Sequence, residues 1–582
     1  MKSAPAIYHL NIERFRGIKH LPWHPAKGVN VILGGGDVGK TTILDAIALL
    51  LSPTNATTLS DTDYHARDID AGFVIEAVLT LPPSSGINCQ IKPSWPWHWD
   101  GSKAVVPSPG ANTGTNDEPV YCLRVSGTPE HELAYEILQP DGTTDSLSVA
   151  LRRSIGLVRL SGDDRNDRDL RLVQGSALDR LLSDKGLRAR LASDLAKTGV
   201  KDELTDSAKE VLKALDQAFY AKNLPDGLDL AITGGQGFSI TALIGLTANF
   251  KGVHLPLTSW GAGTRRIAAL AIAEQNQGEA PITLVDELER GLEPYRQRSL
   301  MQKLQAGTAQ VFVTTHSPST ISAASKAGLW YVDHEGRIGS LEPAKITRLR
   351  RSDPEALLAR LTVVAEGAAE LGFVTALLEK AFRSPLQEHG VHTTDGEGHE
   401  ATLGLLETLA HGGLRFGGFA DNEGGKHPTR WKKLADKLDT LLFRWMEGCL
   451  EENIIAALPA DTLEALLIDP ADKKTGMRLR TLADRLGSQD KDFETIKTKS
   501  GASLKALILG AASGTVPEDK TSEKKEYKAH AQTWFKTVEG GRELATKVFN
   551  LGAWPILRPQ LMPFCNAVRK AVDLAEIADL GP

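Results

Sequence analysis

A glycine-rich loop between an apolar strand and a helix constrains the fold of this chain more than any other feature of its sequence. Residues 29–33 form an apolar run, and the sequence then reads GGGDVGKTT, which fits the pattern GxxxxGK[ST]. In such a loop, glycine backbone N–H groups close on phosphate oxygens at a helix N-terminus. A glycine-rich turn with a chance GKT is the alternative. We predict a nucleotide-phosphate loop that binds through Gly34, Gly36, Gly39, Lys40, Thr41 and Thr42.

Two acidic residues follow a second apolar strand. Residues 282–285 read ITLV and are followed by Asp286 and Glu287. One carboxylate can hold Mg²⁺ together with the Thr41 hydroxyl, and the next can polarise an attacking water. The alternative is a solvated strand end. Because this strand lies downstream of the phosphate loop, we predict that Asp286 binds metal and that Glu287 is catalytic.

Two further segments can contact a bound nucleotide. His316 follows the strand at 311–315, where it can sense the γ-phosphate, although a lone histidine is more often structural. Residues 257–266 read LTSWGAGTRR and form a serine- and glycine-rich turn that opens a helix. Such a helix start is a second anion-binding N-terminus, for which we predict Ser259, Gly261 and Gly263 as cofactor-binding residues.

The length of 582 residues exceeds a single ordinary core and predicts several domains. Up to about residue 342, short β-rich runs at 29–33, 73–81, 282–285 and 311–315 alternate with helical stretches, which predicts an α/β fold with a largely parallel sheet. Residues 82–115 read as a long loop or hairpin. Residues 163–224 read as a charged, leucine-containing helical insert. A second β-α-β-α-β pattern starts at Leu361 and ends at Asp421.

Charge and cysteine content exclude several classes of protein. The net charge of -6 excludes general attraction of nucleic acid, so any DNA contact must use a local groove. Cys89, Cys122, Cys449 and Cys565 form no CxxC pair, which argues against a zinc ribbon and a disulfide scaffold. No apolar stretch reaches the roughly 18 residues of a membrane helix. We expect a cytoplasmic protein without a membrane partner.

Acidic residues also collect at strand ends in the second pattern. Glu366 and Glu370 follow the strand at 361–365 one helical turn apart, and Asp421 and Glu423 follow the strand at 415–420. The carboxyl edge of an open parallel sheet is where ligands bind. Carboxylates without nearby cysteines favour Mg²⁺ or Mn²⁺, and two such ions support phosphodiester cleavage. Surface acids that merely end strands and cap helices are the alternative.

The first half of the chain resembles the ATP-binding-cassette ATPases of the RecF/SMC type. Lys40, Asp286, Glu287 and His316 match that pattern individually, residues 291–294 stand where its D-loop would be, and residues 12–19 look like its N-terminal strand pair. The resemblance implies that the segment at 259–263 of one subunit closes on ATP held by another. This segment reads SWGAG rather than SGGQ.

The second half resembles the Toprim fold, and the order of the two domains is similar to that of the OLD (overcoming lysogenization defect) family of ATP-dependent nucleases, which includes the Gabija nuclease subunit. The resemblance implies an ATPase domain at 1–355 and a Toprim domain with a helical C-terminal part at 356–582. It implies the metal ligands Glu366, Glu370, Asp421, Glu423 and Glu452, with Glu366 also catalytic. A late lysine completes the site, for which Lys536 is preferred and Lys547 is the rival.

Together these features predict an ATP-regulated, metal-dependent DNA endonuclease with a role in anti-phage defence. We expect ATP, with Mg²⁺ or Mn²⁺, as cofactors and DNA as the partner. A homodimer or higher oligomer is expected, with the insert at 163–224 as a dimerisation element, and a helicase-like partner protein is a further expectation. The alternative is a non-nucleolytic, ATP-switched DNA-binding or repair clamp whose C-terminal acids are structural.

Overall fold

The computed structural model divides the chain into two compact units, Met1–Pro343 and Ala344–Pro582. The structure describes residues 4–55, 57–81, 85–87, 94–107, 119–160, 167–173, 176–182, 204–232, 244–275, 281–422, 425–468, 474–516, 525, 527 and 534–581. Among these residues, no helix is both long and apolar enough to cross a membrane.

The first unit contains seventeen described strands in three sheets. They are β1 (Ala6–Phe15), β2 (Ile18–Trp23), β3 (Val29–Gly34), β4 (Phe73–Thr80), β5 (Trp97–Trp99), β6 (Ala104–Val105), β7 (Pro119–Gly127), β8 (Leu133–Leu138), β9 (Thr144–Ser146), β10 (Leu157–Leu160), β11 (Asp229–Ile232), β12 (Ile244–Phe250), β13 (Val253–Pro256), β14 (Ile282–Val285), β15 (Val311–Thr314), β16 (Gly328–Val332) and β17 (Ile338–Leu341).

The central sheet of this unit has the order β10-β14-β15-β3-β16-β17, and only β17 runs antiparallel to its neighbour. Every residue of β3, β14 and β15 is buried. Uninterrupted apolar runs of this kind are typical of parallel strands covered on both faces. The sheet brings the ends of β3, β14 and β15 to one edge, as the strand pattern predicts.

A second sheet corrects the prediction that the first half is largely parallel. The strand β4 pairs antiparallel with β1 and β7, and β1 pairs antiparallel with β2. Burial alternates along β4, since one face packs on the core while the other carries polar groups. The run at 73–81 was therefore assigned to the wrong sheet. The predicted strand pair at 12–19 is present as the β1–β2 hairpin.

The predicted helical insert at 163–224 is only partly described. Its residues 163–166, 174–175 and 183–203 lie outside the described residues, as does Cys89 in the predicted loop at 82–115. Leu170 and Leu172 are buried in a turn rather than in a helix. The described helices of the first unit are Lys40–Leu50, Val149–Ile155, Ala177–Leu182, Asp206–Ala221, Ala262–Gln275, Pro294–Ala306 and Pro318–Ala323.

The second unit contains a four-stranded parallel sheet. Its strands β18 (Leu361–Ala365), β19 (Val391–Asp395), β20 (Phe416–Ala420) and β21 (Leu442–Arg444) have the order β19-β18-β20-β21. The predicted β-α-β-α-β unit is therefore present. From residue 343 onwards, the described α-helices are Pro343–Ser352, Ala368–Phe382, His399–Gly412, Pro428–Leu438, Leu450–Ala457, Leu463–Leu467, Lys474–Leu486, Phe493–Ser500, Leu504–Ser513, Val538–Asn550 and Trp554–Ala571.

Candidate functional sites

The phosphate loop lies at the carboxyl edge of the central sheet. Gly39 has φ of 96° and precedes the helix that begins at Lys40, a backbone conformation that favours glycine. The Lys40 ammonium group donates hydrogen bonds to the Gly34 and Gly35 carbonyl oxygens, at 3.1 and 2.5 Å. Burial lowers the pKa of Lys40, although carboxylates lie nearby. The loop therefore holds its lysine across the opening that a phosphate would enter.

Asp286 lies beside the phosphate loop, as the sequence predicts for a metal-binding carboxylate. Its Oδ1 accepts hydrogen bonds from the Thr41 hydroxyl at 3.2 Å and from the Thr314 hydroxyl at 2.6 Å. Asp286 is buried. Thr314 was not predicted, although its position at the end of a strand beside β14 is the signal that could have identified it. Thr41 and Asp286 are oxygen donors of the kind that Mg²⁺ prefers.

Glu287 has a backbone conformation that is uncommon for a residue with a side chain. Its φ is 47°, and its carbonyl oxygen accepts a hydrogen bond from Arg266 at 2.8 Å. The buried Arg266 guanidinium also contacts the Asp286 carbonyl oxygen at 2.5 Å. A left-handed residue of this kind costs about 1–3 kcal/mol and persists only where its surroundings impose it. The position and exposure of Glu287 suit a carboxylate that must reach a water molecule.

A cavity of about 570 Å³ joins these residues. His316 lines it, and burial, followed by the nearby Lys40 charge, lowers the pKa of this histidine. The backbone N–H of His316 donates to Glu289 at 2.7 Å, which holds the histidine at the end of β15. The cavity is lined by Gly17, Gly36, Asp37, Val38, Gly39, Lys40, Thr41, Thr42, Asp286, Glu287, Thr314, His316, His334, Glu335 and Gly336. The turn at 334–336 follows a strand of the same sheet edge and was not predicted.

The serine- and glycine-rich segment lies apart from this lining. The Ser259 hydroxyl donates to the Pro256 carbonyl oxygen at 2.7 Å, and Ser259 is exposed. Gly263 packs so closely on Gly291 that a Cβ atom on it would lie 2.1 Å from the Gly291 carbonyl oxygen. Gly261 has no atom within 4 Å of such a position. The structure thus explains Gly263 by backbone packing and leaves Ser259 and Gly261 on the surface.

In the second unit, Glu366 and Asp421 meet at the carboxyl edge of the sheet. The Asp421 backbone N–H donates to Glu366 Oε2 at 3.0 Å. Asp421 Oδ1 accepts from the Leu450 N–H at 3.0 Å, and its backbone carbonyl oxygen accepts from Arg444 at 3.1 Å. Glu366 Oε1 also lies 3.5 Å from His399 Nδ1. Neither Arg444 nor His399 was predicted here. Glu423 lies outside the described residues.

Glu451, rather than the predicted Glu452, faces the acidic cluster. Its side chain is completely buried, and neither carboxylate oxygen has a hydrogen-bond partner among the described residues. Glu452 instead accepts the Cys449 backbone N–H at 3.0 Å in a capping box at the start of the helix. Burial, followed by repulsion from Glu451, raises the pKa of Glu370 to about 7. The neighbouring Glu451 carboxylate therefore disfavours ionisation of Glu370.

The two candidate lysines have different surroundings. Lys536 Nζ lies 3.9 Å from Glu451 Oε2, and its charge partly offsets the rise in the pKa of Glu370. Lys547 donates to the carbonyl oxygens of Ala465 and Leu466, at 3.1 and 2.7 Å. Lys536 thus lies at the acidic cluster, whereas Lys547 holds two helices together.

The side chains of the acidic cluster, Glu366, Glu370, Asp421 and Glu451, are not arranged as a preformed metal site, although their carboxylates are suitable metal ligands. Among the described residues, no three histidine, cysteine or acidic side chains are arranged closely enough to hold a metal ion. The buried carboxylate of Glu451 lacks hydrogen bonds among the described residues and has the Lys536 ammonium group at 3.9 Å, so a metal ion would add the compensation that a buried charge requires. The donor set is all oxygen and suits Mg²⁺ or Mn²⁺.

Comparison with known proteins supports the nucleotide-binding domain. A family model described as "AAA domain, putative AbiEii toxin, Type IV TA system" matches residues 145–322, which include Asp286, Glu287 and His316. A segment of 44 residues is 52% identical to the DNA replication and repair protein RecF of Nitrosococcus oceani (strain ATCC 19707 / BCRC 17464 / JCM 30415 / NCIMB 11848 / C-107). That segment covers 8% of this chain and 12% of the relative, so it spans about an eighth of the relative's length.

Solved structures are similar at low sequence identity. The Smc head bound to the C-winged helix domain of ScpA is 17% identical, with a TM-score of 0.36 over 58% of this chain and 99% of that one. The Smc head domain with an extended coiled coil, bound to a ScpA domain derived from Pyrococcus furiosus, is 14% identical, with a TM-score of 0.38 over 59% and 98%. The recombination mediator protein RecF-ATPrS is 14% identical, with a TM-score of 0.36 over 58% and 99%.

In the first unit, residues 145–322 therefore match the AAA-domain model. That model ends at residue 322 and does not extend into the second unit. The resemblance of the second half to the Toprim fold and to the OLD family remains a prediction.

Proposed function

We propose that this chain is an ATP-hydrolysing protein that acts on DNA, and that its second unit cleaves DNA phosphodiester bonds with the help of divalent metal ions. Beyond ATP hydrolysis in the first unit, the proposal names DNA as the substrate and phosphodiester cleavage as a second reaction. It includes the predicted role in anti-phage defence, which follows from the resemblance to the OLD family.

In the first unit, the residues that line the cavity have different roles in ATP binding and hydrolysis. Lys40 neutralises phosphate charge, and Thr41 with Asp286 would hold Mg²⁺. Glu287 orients and polarises the attacking water, and His316, whose pKa is lowered by burial and by the Lys40 charge, donates a hydrogen bond to a terminal phosphate oxygen. Ser259 and Gly261 lie outside the lining of this cavity, so the proposal includes a second copy of the chain that brings them to the nucleotide.

In the second unit, the observation that carries the proposal is the buried carboxylate of Glu451, whose two oxygens accept no hydrogen bond from a described residue. It lies beside Glu370 and Lys536, in a unit whose sheet also ends in Glu366 and Asp421 at one edge. When bound there, divalent ions would activate water and stabilise the leaving oxygen of a phosphodiester. Glu366, Glu370, Asp421 and Glu451 would hold them, and Lys536 would neutralise phosphate charge.

The alternative function is an ATP-switched DNA-binding or repair clamp whose C-terminal acids are structural. Nicking of supercoiled plasmid in Mg²⁺ or Mn²⁺, with and without ATP, separates the two. We expect Asp421→Ala and Glu366→Ala to abolish nicking and to leave ATP hydrolysis intact, because these residues belong to a different compact unit from Lys40. The exposed Asp461→Ala is the matched control. Nicking at the wild-type rate in both variants would favour the clamp.

A further inference from the structure

Three lysines form an exposed basic surface on the second unit, which we call the lysine surface. Lys426 precedes the helix Pro428–Leu438, and Lys432 and Lys433 lie on it. All three are exposed, and none forms an ion pair with a residue that the structure describes. Other basic side chains of this helix are engaged, since Arg430 binds Glu407 through two hydrogen bonds of 2.8 and 2.7 Å and Lys437 contacts the Ala410 carbonyl oxygen.

The buried face of the same helix packs against His399 and Arg444, which in turn contact the acidic cluster. The buried Trp431 donates from Nε1 to His399 Nε2 at 3.3 Å, and the other nitrogen of that ring lies 3.5 Å from Glu366. The Arg444 guanidinium lies 4.9 Å from the centroid of the Trp431 ring and donates to the Asp421 carbonyl oxygen. Two short chains of contacts therefore connect the helix to Glu366 and Asp421.

The charge on this helix contrasts with that of the whole molecule. The chain carries a net charge of -6, yet residues 428–438 contain four basic side chains and one acidic side chain. Exposed lysines that lack an ion pair among the described residues gain little stability from their charge within the protein, and that charge is left to attract an external anion. Duplex DNA carries one negative charge for about every 1.7 Å of helix axis, which offers each lysine a phosphate.

We propose that the lysine surface binds the phosphate backbone of duplex DNA and directs it toward the acidic cluster. This inference rests on the proposed function for the identity of the polyanion. It assigns a positioning role to Lys426, Lys432 and Lys433. Phosphate contacts of this kind set the position of the duplex and carry no sequence preference.

The test measures DNA binding by the full-length protein in EDTA, where cleavage does not interfere. A fluorescent duplex of random sequence is titrated by anisotropy at several salt concentrations. Each phosphate contact contributes about 0.9 to the slope of log affinity against log salt, so Lys432→Gln/Lys433→Gln should lower the slope by about 1.8. Between 50 and 200 mM salt, the wild type should then lose about 12-fold more affinity than this double variant.

The matched control is Lys491→Gln/Lys570→Gln, which removes two exposed lysines that also lack an ion pair among the described residues. Lys570 lies beside the other edge of the sheet, because its neighbour Ala571 accepts a hydrogen bond from Arg415, which precedes β20. We expect the control to keep the wild-type slope. Equal slopes in the wild type and the Lys432/Lys433 variant, or equal losses in both double variants, would overturn the inference.

The result is separable from the nuclease proposal. A wild type that binds DNA through these lysines but never cleaves it would refute the nuclease function and leave the lysine surface intact. If the wild type cleaves DNA but the Lys432/Lys433 variant keeps the wild-type salt slope, the nuclease function stands and the lysine surface is refuted. Unchanged melting temperatures of both variants establish that the fold is preserved, which we expect because all four side chains are exposed.

Discussion

The replacement Glu451→Gln should have opposite effects on stability with and without divalent metal. The side chain is fully buried, and both of its oxygens lack hydrogen-bond partners among the described residues. Lys536, at 3.9 Å, offers an attraction of about 4 kcal/mol at an effective dielectric constant near 20. Removing the Glu451 charge from water costs several kcal/mol, whereas Lys536 stays 37% exposed and its attraction is partly screened. Repulsion from Glu370 opposes the pair further. The charge is therefore incompletely compensated.

From this balance we expect Glu451→Gln to stabilise the metal-free second unit by about 1–3 kcal/mol, because the neutral amide removes the buried charge and its repulsion from Glu370. For a unit of this size, each kcal/mol shifts the melting temperature by about 2–4 °C. In Mn²⁺ at about 1,000 times its dissociation constant, the wild type should gain about 4.1 kcal/mol that the variant cannot. The order of the two melting temperatures should then reverse.

Scanning calorimetry of the full-length protein in EDTA and in Mn²⁺ measures both effects. The control is Glu452→Gln, the neighbouring acid whose replacement keeps the hydrogen bond to the Cys449 N–H. It should change the melting temperature little in either buffer. A loss of about 3–5 kcal/mol for Glu451→Gln in EDTA is the size expected when a buried ion pair is broken. That outcome would show that Glu451 serves a structural pair with Lys536 and would refute the reasoning.

Two further predictions concern the first unit. Lys40→Ala should abolish ATP hydrolysis because the charge facing the phosphates is lost. Glu287→Gln should still bind ATP but hydrolyse it slowly, so that an ATP-bound dimer accumulates and is detected by light scattering. Near-wild-type hydrolysis by Lys40→Ala would exclude the cavity as the ATP site. Gly263→Ala should destabilise this unit by about 1–3 kcal/mol in urea, since its Cβ would lie 2.1 Å from the Gly291 carbonyl oxygen, whereas Gly261→Ala meets no atom within 4 Å and should change stability little. Equal urea midpoints for the two variants would contradict the close approach.

Contiguous patterns in the sequence were sufficient to predict the phosphate loop and the parallel strands around it. The loop follows β3 and opens the helix at Lys40, and Asp286 directly follows β14. Each of these motifs joins a strand to the residues after it, so local sequence determines both. Parallel strands then bring such ends to one edge of the sheet, which is why Asp286 meets Thr41 and why Asp421 meets Glu366.

The strands that pair with β4 could not be predicted from local sequence. Its apolar run is compatible with either sheet, and long-range pairing with β1 and β7 decided that it is antiparallel. The buried Arg266, which supports the backbone of Glu287, was also not predicted. Its partners lie about twenty residues away in the chain and become neighbours only when the helix that carries it packs against β10, the strand beside β14.

The choice between adjacent acids depended on tertiary structure for a simple geometric reason. Successive residues of an α-helix point about 100° apart, so the packing of the helix decides which of Glu451 and Glu452 turns inward. The core buries Glu451 and leaves Glu452 to cap the helix. In the same way, packing placed Lys536 at Glu451 and directed Lys547 to two backbone carbonyl groups. The sequence determined which residue types were available, and the packing of helices on the sheet determined which of them meet.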